Sequence, residues 1–151
     1  MTRHRLPPYR ASLAGALLGA REAFMGPIRP ILRDAGVTEQ QWRVLRVLAF
    51  ERQTEPSALA EAALLHAPSL TRILKDLVDR KLITREADTQ DRRRANLTLS
   101  DQGYALVDRI AQKTTAVLAC YTEIFGADRL NWLLTELAAF TCAIDQWEPE
   151  E

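Results

Sequence analysis

Between Pro68 and Leu99 the hydrophobic period changes, and that change limits the folds open to this chain. From Pro68 to about Arg80 apolar residues recur at helical spacing. Leu70, Ile73, Leu74, Leu77 and Val78 form one stripe, and Ser69, Thr71, Arg72, Lys75, Asp76 and Asp79 the other face. Leu82-Ile83-Thr84-Arg85 and Ala95-Asn96-Leu97-Thr98-Leu99 then read as two short strands separated by a charged tip, Asp88 to Arg94. Two short strands cannot enclose a core, so helices must supply it.

The remaining periodicity is helical. Over 12–35, Leu13, Leu17, Ala20, Phe24, Ile28 and Ile31 make one stripe, and Leu18, Arg21, Met25 and Leu32 a second beside it. Gly26, Pro27 and Pro30 predict a kink in this helix, and Gly36 its C-terminal cap. Thr38-Glu39-Gln40-Gln41 has the spacing of a capping box opening a helix through Trp42, Leu45 and Leu48 to about Arg52. A polar break at 53–56 leads to Pro56, which suits the first turn of a short helix over about 56–63. Ser100 starts a long helix to about Phe125, with Ala105, Leu106, Ile110, Val117, Leu118 and Tyr121 facing inward. Gly126 breaks it, and Leu130, Leu133, Leu134, Leu137, Phe140 and Ile144 stripe a last helix over about 127–147. Residues 1–10 read as a loose arm, and the acidic tail as frayed.

This order predicts a mainly α fold with a small β-hairpin wing. A winged helix-turn-helix occupies 38–99, and helices at 12–35 and 100–147 serve dimerisation, all within one domain of 1–151. The flanking helices carry more apolar stripe than a small domain can cover, so they are the expected homodimer interface.

Formal net charge is zero over the 151 residues, so bulk charge says nothing about nucleic acid. Its distribution does. Between His66 and Arg94, Lys and Arg exceed Asp and Glu by three, while the C-terminal quarter is acidic. Ser69, Thr71, Arg72 and Lys75 are short polar and basic side chains suited to the major groove. Arg92, Arg93 and Arg94 lie at the ribbon tip, where arginine is drawn to the minor groove, and Asp91 can orient one of them. Either feature alone equally describes a solvated face or a soluble loop. In this order they point to double-stranded DNA and a pseudo-palindromic operator.

Other classes find little support. No phosphate loop, metal-ligand spacing or nucleophile motif is present, so no enzyme and no cofactor is expected. Apolar runs are short and charged, so no membrane span is expected. The basic start followed by an apolar stretch admits a signal peptide, but Arg21 and Glu22 soon interrupt it and an amphipathic helix is the better reading. A reducing cytoplasm follows as the expected location.

The stretch Ser69-Leu-Thr-Arg-Ile-Leu-Lys-Asp-Leu-Val-Asp-Arg-Lys-Leu-Ile83, with Asp91-Arg-Arg-Arg-Ala-Asn-Leu-Thr-Leu-Ser-Asp-Gln-Gly103, resembles the MarR family of bacterial transcriptional regulators. The resemblance covers about 12–147. It implies that Asp91 and Arg93 match the wing's Asp-x-Arg element, with Arg93 in the minor groove, and that Ser69, Thr71, Arg72 and Lys75 match the major-groove helix. The family commonly has glycine where this chain has Lys81, and lysine in a left-handed cap costs about 1 kcal/mol. Ala20-Arg-Glu-Ala23, Arg29-Pro30, Thr38-Glu-Gln-Gln-Trp-Arg43 and Pro68-Ser-Leu-Thr71 resemble the branch controlling catabolism of homoprotocatechuate and related aromatic acids. That branch implies a repressor released by a small aromatic carboxylate.

Such an effector needs a cation, an apolar slot and polar tips for ring hydroxyls. Arg21 is the candidate cation, because it interrupts the stripe of Leu18, Met25 and Leu32. Met25 and Trp42 would supply apolar walls, and Arg46 and His66 would complete the site. Each has an ordinary alternative. Trp42 is more often a core aromatic and His66 more often a turn residue, while Arg21 also reads as an intersubunit ion pair and Arg43 and Arg46 as a solvated face. Some family members sense oxidants through a thiol, but Cys120 and Cys142 lack basic neighbours in sequence and read as small core residues. A winged-helix protein adaptor is a further alternative, which steep salt dependence of DNA binding would separate.

Overall fold

The structure, a computed structural model, describes residues 6–87 and 95–147. The chain forms two compact units that divide between Thr114 and Thr115. Asp91, Arg92, Arg93 and Arg94 lie outside the described residues.

In the first unit a 3-10 turn (Tyr9–Ala11) precedes α1 (Leu13–Met25) and α2 (Ile28–Asp34). The expected single kinked helix over 12–35 is therefore two helices. Gly26 and Pro27 make the break, and Pro30 falls in the first turn of α2, where its missing N–H costs nothing. The expected loose arm is also partly ordered. The Tyr9–Ala11 turn lies against Gly15, where a Cβ would overlap the Tyr9 carbonyl. At the end of α2, Gly36 adopts φ 71°, Val37 N–H donates to Leu32 and Gly36 N–H to Arg33, a left-handed helix stop as expected.

Helix α3 (Glu39–Glu51) opens on the complete Thr38–Gln41 capping box and buries Trp42, Val44, Leu45 and Leu48. Helices α4 (Pro56–Ala62) and α5 (Ala67–Asp79) follow, then β1 (Ile83–Ala87) and β2 (Ala95–Leu99), antiparallel with Ile83 opposite Leu99. The polar break before α4 does more than separate helices. Thr54 exchanges both backbone hydrogen bonds with Leu97, which holds the ribbon against the end of α3. Leu32, Leu45, Leu48, Leu59, Leu77, Ile83, Leu97 and Ile110 form the centre of the core. Val78, expected inside, is exposed because α5 turns only Leu70, Ile73, Leu74 and Leu77 inward.

Lys81 does take the left-handed position after α5, at φ 58°. Its N–H donates to Val78 and that of Leu82 to Leu77, so these two backbone bonds offset the unfavourable dihedral. Ser100 then joins this corner to α6 (Asp101–Phe125). Its hydroxyl lies 2.6 Å from the Lys81 carbonyl and accepts from Gly103 N–H at 3.0 Å. Gly103 is buried there, and a Cβ on it would overlap the Leu82 carbonyl and crowd Leu99. We expect Gly103→Ala to destabilise the protein by about 1–3 kcal/mol, seen as a lower urea midpoint, because backbone rather than a flexible side chain must move.

Within α6 the buried residues are Gly103, Leu106, Val107, Ile110 and Thr114. Ala105 and Leu118, expected inside, are exposed. The second unit holds the rest of α6 and α7 (Ala127–Asp145), separated at Gly126 with φ 95°. Helix α7 buries none of its residues, and Leu134, Leu137, Phe140 and Ile144 are all exposed. Helix α1 likewise buries only Gly15 and leaves Leu13, Leu17, Leu18 and Phe24 exposed. Both cysteines are exposed too, against the expectation of small core residues, because their helix faces find no cover among the described residues of their own unit. Among the described residues no helix is long and apolar enough to cross a membrane.

Candidate nucleic-acid interface and effector site

Helix α5 is sharply two-faced. Leu70, Ile73, Leu74 and Leu77 are buried, while Ser69, Thr71, Arg72 and Lys75 are exposed together on its outer side. His66 is the N-cap but makes no side-chain cap bond, and Pro68 sits in the first turn. The first-turn N–H groups of α5 therefore receive no cap from the His66 side chain. Thr71 Oγ1 donates to the Ala67 carbonyl at 3.1 Å, which fixes its rotamer and leaves the oxygen able to accept.

Helix α3 holds α5 by two polar contacts that periodicity could not reveal. Gln41 Nε2 donates to Asp76 Oδ2 at 2.8 Å, and Arg43 Nη1 donates to the Leu64 carbonyl at 3.0 Å in the turn before α5. The only hint in sequence was that Gln41 and Asp76 are polar on otherwise packed helices.

Effector candidates are placed less uniformly. Trp42 is 8% exposed and packs in the core, its ordinary alternative. Arg46 and His66 are exposed, and Met25 is half-buried. Arg21 is 52% exposed, but its guanidinium is shared between Glu22 at 3.1 Å and Glu39 at 2.5 Å. This ion pair lies within one chain. Arg29 of α2 completes the group, donating to Glu22 through Nη1 and Nη2 and to Glu39 through Nε. Sequence reading noted Arg29 and Glu39 as local motifs but missed their pairing, which depends on the break at Gly26-Pro27. An open groove of about 620 Å³ beside the Tyr9–Ala11 turn is lined by Tyr9, Arg10, Leu18, Gly19 and Glu22 among others. It includes none of Arg21, Met25, Trp42, Arg46 and His66.

The Arg29 hydrogen bonds hold the Glu22 and Glu39 carboxyls below the usual glutamate range, with smaller help from Arg21. Arg29 is pushed up in return, first by Glu22 and then by Glu39. A carboxylate depressed in the folded state stabilises above its unfolded pKa and loses that contribution as pH falls through the folded value. The link between α1, α2 and α3 should therefore hold at neutral pH and loosen only in acid. Carboxyl ¹³C titration should give Glu22 and Glu39 midpoints below that of an ordinary glutamate, rising toward it in Arg29→Gln. The groups are exposed, so the effect on overall stability should be small.

Residues 35–94 match the MarR family. Over 138 residues the chain is 36% identical to the HTH-type transcriptional regulator FarR of Neisseria gonorrhoeae, covering 89% of this chain and 94% of that protein. The chain belongs to the MarR family. It is 38% identical over 132 residues to the homoprotocatechuate degradative operon repressor of Escherichia coli, covering 85% and 87%. Among solved structures, NadR in complex with 4-hydroxyphenylacetate is 34% identical with a TM-score of 0.79, covering 90% of this chain and 96% of NadR. The repressor CouR bound to a 23-mer DNA duplex is 25% identical with a TM-score of 0.80, covering 91% and 99%. As a MarR-type protein it is a DNA-binding transcriptional regulator and not an enzyme.

Proposed function

We propose that this MarR-type regulator is a cytoplasmic homodimer that represses an aromatic-acid catabolic operon and leaves its operator when a phenolic or phenylacetic carboxylate binds. The observation that carries the DNA reading is the outer face of α5, with Ser69, Thr71, Arg72 and Lys75 exposed above a fully buried inner stripe. Arg92, Arg93 and Arg94, with Asp91 to orient one of them, are the residues proposed to extend that contact into the minor groove. Dimerisation is supported by α1 and α7, each of which leaves its apolar residues uncovered within its own unit. A dimer matches the two half-sites of a pseudo-palindrome, one helical turn apart.

The effector class is supported by the likeness to the homoprotocatechuate operon repressor and to NadR with 4-hydroxyphenylacetate. Arg21, Met25, Trp42, Arg46 and His66 remain the residues proposed to receive it. Glu39 bears on that role, because it already neutralises Arg21 and an incoming carboxylate must compete with it. Arg21→Ala should remove the response to the acid and leave operator affinity intact.

The test is a titration of the promoter DNA beside the gene, at two salt concentrations, with and without a panel of phenolic and phenylacetic acids. Salt-sensitive, specific binding relieved by one acid supports the whole reading. Tight binding that no acid disturbs keeps the DNA reading and removes the effector.

A further inference from the structure

Helix α5 reads DNA only if its angle to the rest of the unit is fixed, and the turn before it is an unfavourable place to fix anything. Leu64 ends α4 in the left-handed region at φ 53°, with no glycine to ease it, and its side chain is 81% exposed. Its N–H donates to Glu61 and that of Leu65 to Ala60, so these amides are satisfied by α4 itself. The Leu64 carbonyl instead points to α3, where Arg43 Nη1 donates to it. Arg43 is half-buried, with its Nε covered and its Nη1 bond to Leu64 at the exposed end of the side chain. A charge-assisted bond to a carbonyl is stronger than a neutral one, which suits a position carrying local strain. Two residues after Leu64 comes His66, the N-cap of α5.

A second bond acts at the far end of the helix. Gln41 is held by the capping box, since its Oε1 accepts from Thr38 N–H at 2.9 Å. Its Nε2 is left to donate to Asp76, in the last turns of α5. Arg80 also approaches Asp76, at 3.4 Å. Gln41 and Arg43 thus leave the same helix two residues apart and reach opposite ends of α5.

We propose that Gln41 and Arg43 are positioning residues that clamp the DNA-reading helix, Gln41 through Asp76 and Arg43 through the Leu64 carbonyl. Neither needs to touch DNA. The clamp sets where Ser69, Thr71 and Arg72 meet the bases, so it governs discrimination between operator and other DNA more than general affinity. This inference rests on α5 being the reading helix, which Arg72→Ala tests separately.

The experiment measures affinity for the operator and for an unrelated duplex of equal length, at several salt concentrations, on folded variants. Arg43→Met removes the donor and keeps much of the packing, Arg43→Gln is the substitute if it does not fold, and Arg43→Lys restores a cation able to reach the carbonyl. The Met or Gln variant should lose about tenfold in operator affinity while unrelated-duplex affinity and salt slope hold, and Lys should recover to within about threefold. At the other end, Gln41→Glu keeps the capping box but sets two carboxylates together, and should lose operator affinity. Adding Asp76→Asn restores a donor–acceptor pair at unchanged net charge, and should regain it. Wild-type operator affinity in Arg43→Met or Gln would overturn the clamp. So would parallel loss on both duplexes with a shallower salt slope, which means a direct phosphate contact. No effect of Arg72→Ala would instead remove the α5 reading itself.

Discussion

Replacing Arg72 with alanine is expected to weaken operator binding by roughly 30-fold to 10⁴-fold without changing the fold. Arg72 stands on the exposed side of α5, away from Leu70, Ile73, Leu74 and Leu77, so its removal takes nothing from the core. An arginine fork to a guanine edge is worth about 1–3 kcal/mol. A dimer makes the contact twice, once per half-site, which gives about 2–6 kcal/mol and hence that range. Fluorescence anisotropy at several salt concentrations distinguishes the two contacts open to the side chain. Loss confined to the operator, at unchanged salt slope, means base reading. Uniform loss on every duplex, with the slope shallower by about two for the dimer, means phosphate contact. Wild-type affinity in Arg72→Ala would remove α5 from the interface. Thr71→Ala should cost less, because its hydroxyl is already bonded to Ala67 and offers one remaining acceptor role.

What could be read from the sequence follows the range of the interaction responsible. The Thr38–Gln41 capping box, Pro56 in a first turn and Gly36 and Gly126 at helix stops all appeared where expected. Each is set by contacts within a few residues. The two faces of α5 were equally legible, since burial there follows the 3.6-residue period. Reading failed where partners are distant or absent. The Thr54–Leu97 pairing joins two segments that share no pattern, and the Gln41–Asp76 bond spans 35 residues. Arg21 reads as the effector's cation because its interruption of an apolar stripe is visible in sequence, whereas its pairing with Glu39, 18 residues away, is not. The break at Gly26-Pro27 turned one expected helix into two, and only that break lets Arg29 reach both Glu22 and Glu39. Ala105, Leu118, Cys120 and Cys142 were placed inside because periodicity marks an apolar face without saying which molecule covers it.

That unclaimed face carries the other large expected effect. Leu137→Asp should convert the dimer to a monomer and lower operator affinity by about 10²–10⁴-fold. Leu137 lies on the stripe with Leu130, Leu133, Leu134 and Ile144, and it is 39% exposed in the single chain. Substitution therefore takes little from the fold of one chain. Across a dimer interface the same carboxylate would be buried without a partner, which is far more costly than losing a leucine's contacts. The DNA effect follows from linkage. In a dimer the second reading helix meets its half-site at high effective concentration, and that advantage vanishes when the chains separate. Thr135→Asp is the control, because it puts the same charge on the same helix, nearly opposite Leu137 on the helical wheel. Light scattering should find Thr135→Asp dimeric and Leu137→Asp monomeric, with circular dichroism alike for both. A Leu137→Asp protein that stays dimeric and binds operator normally would move the interface off α7. The uncovered stripe of α1, with Leu13, Leu17 and Phe24, would then be the surface to substitute next.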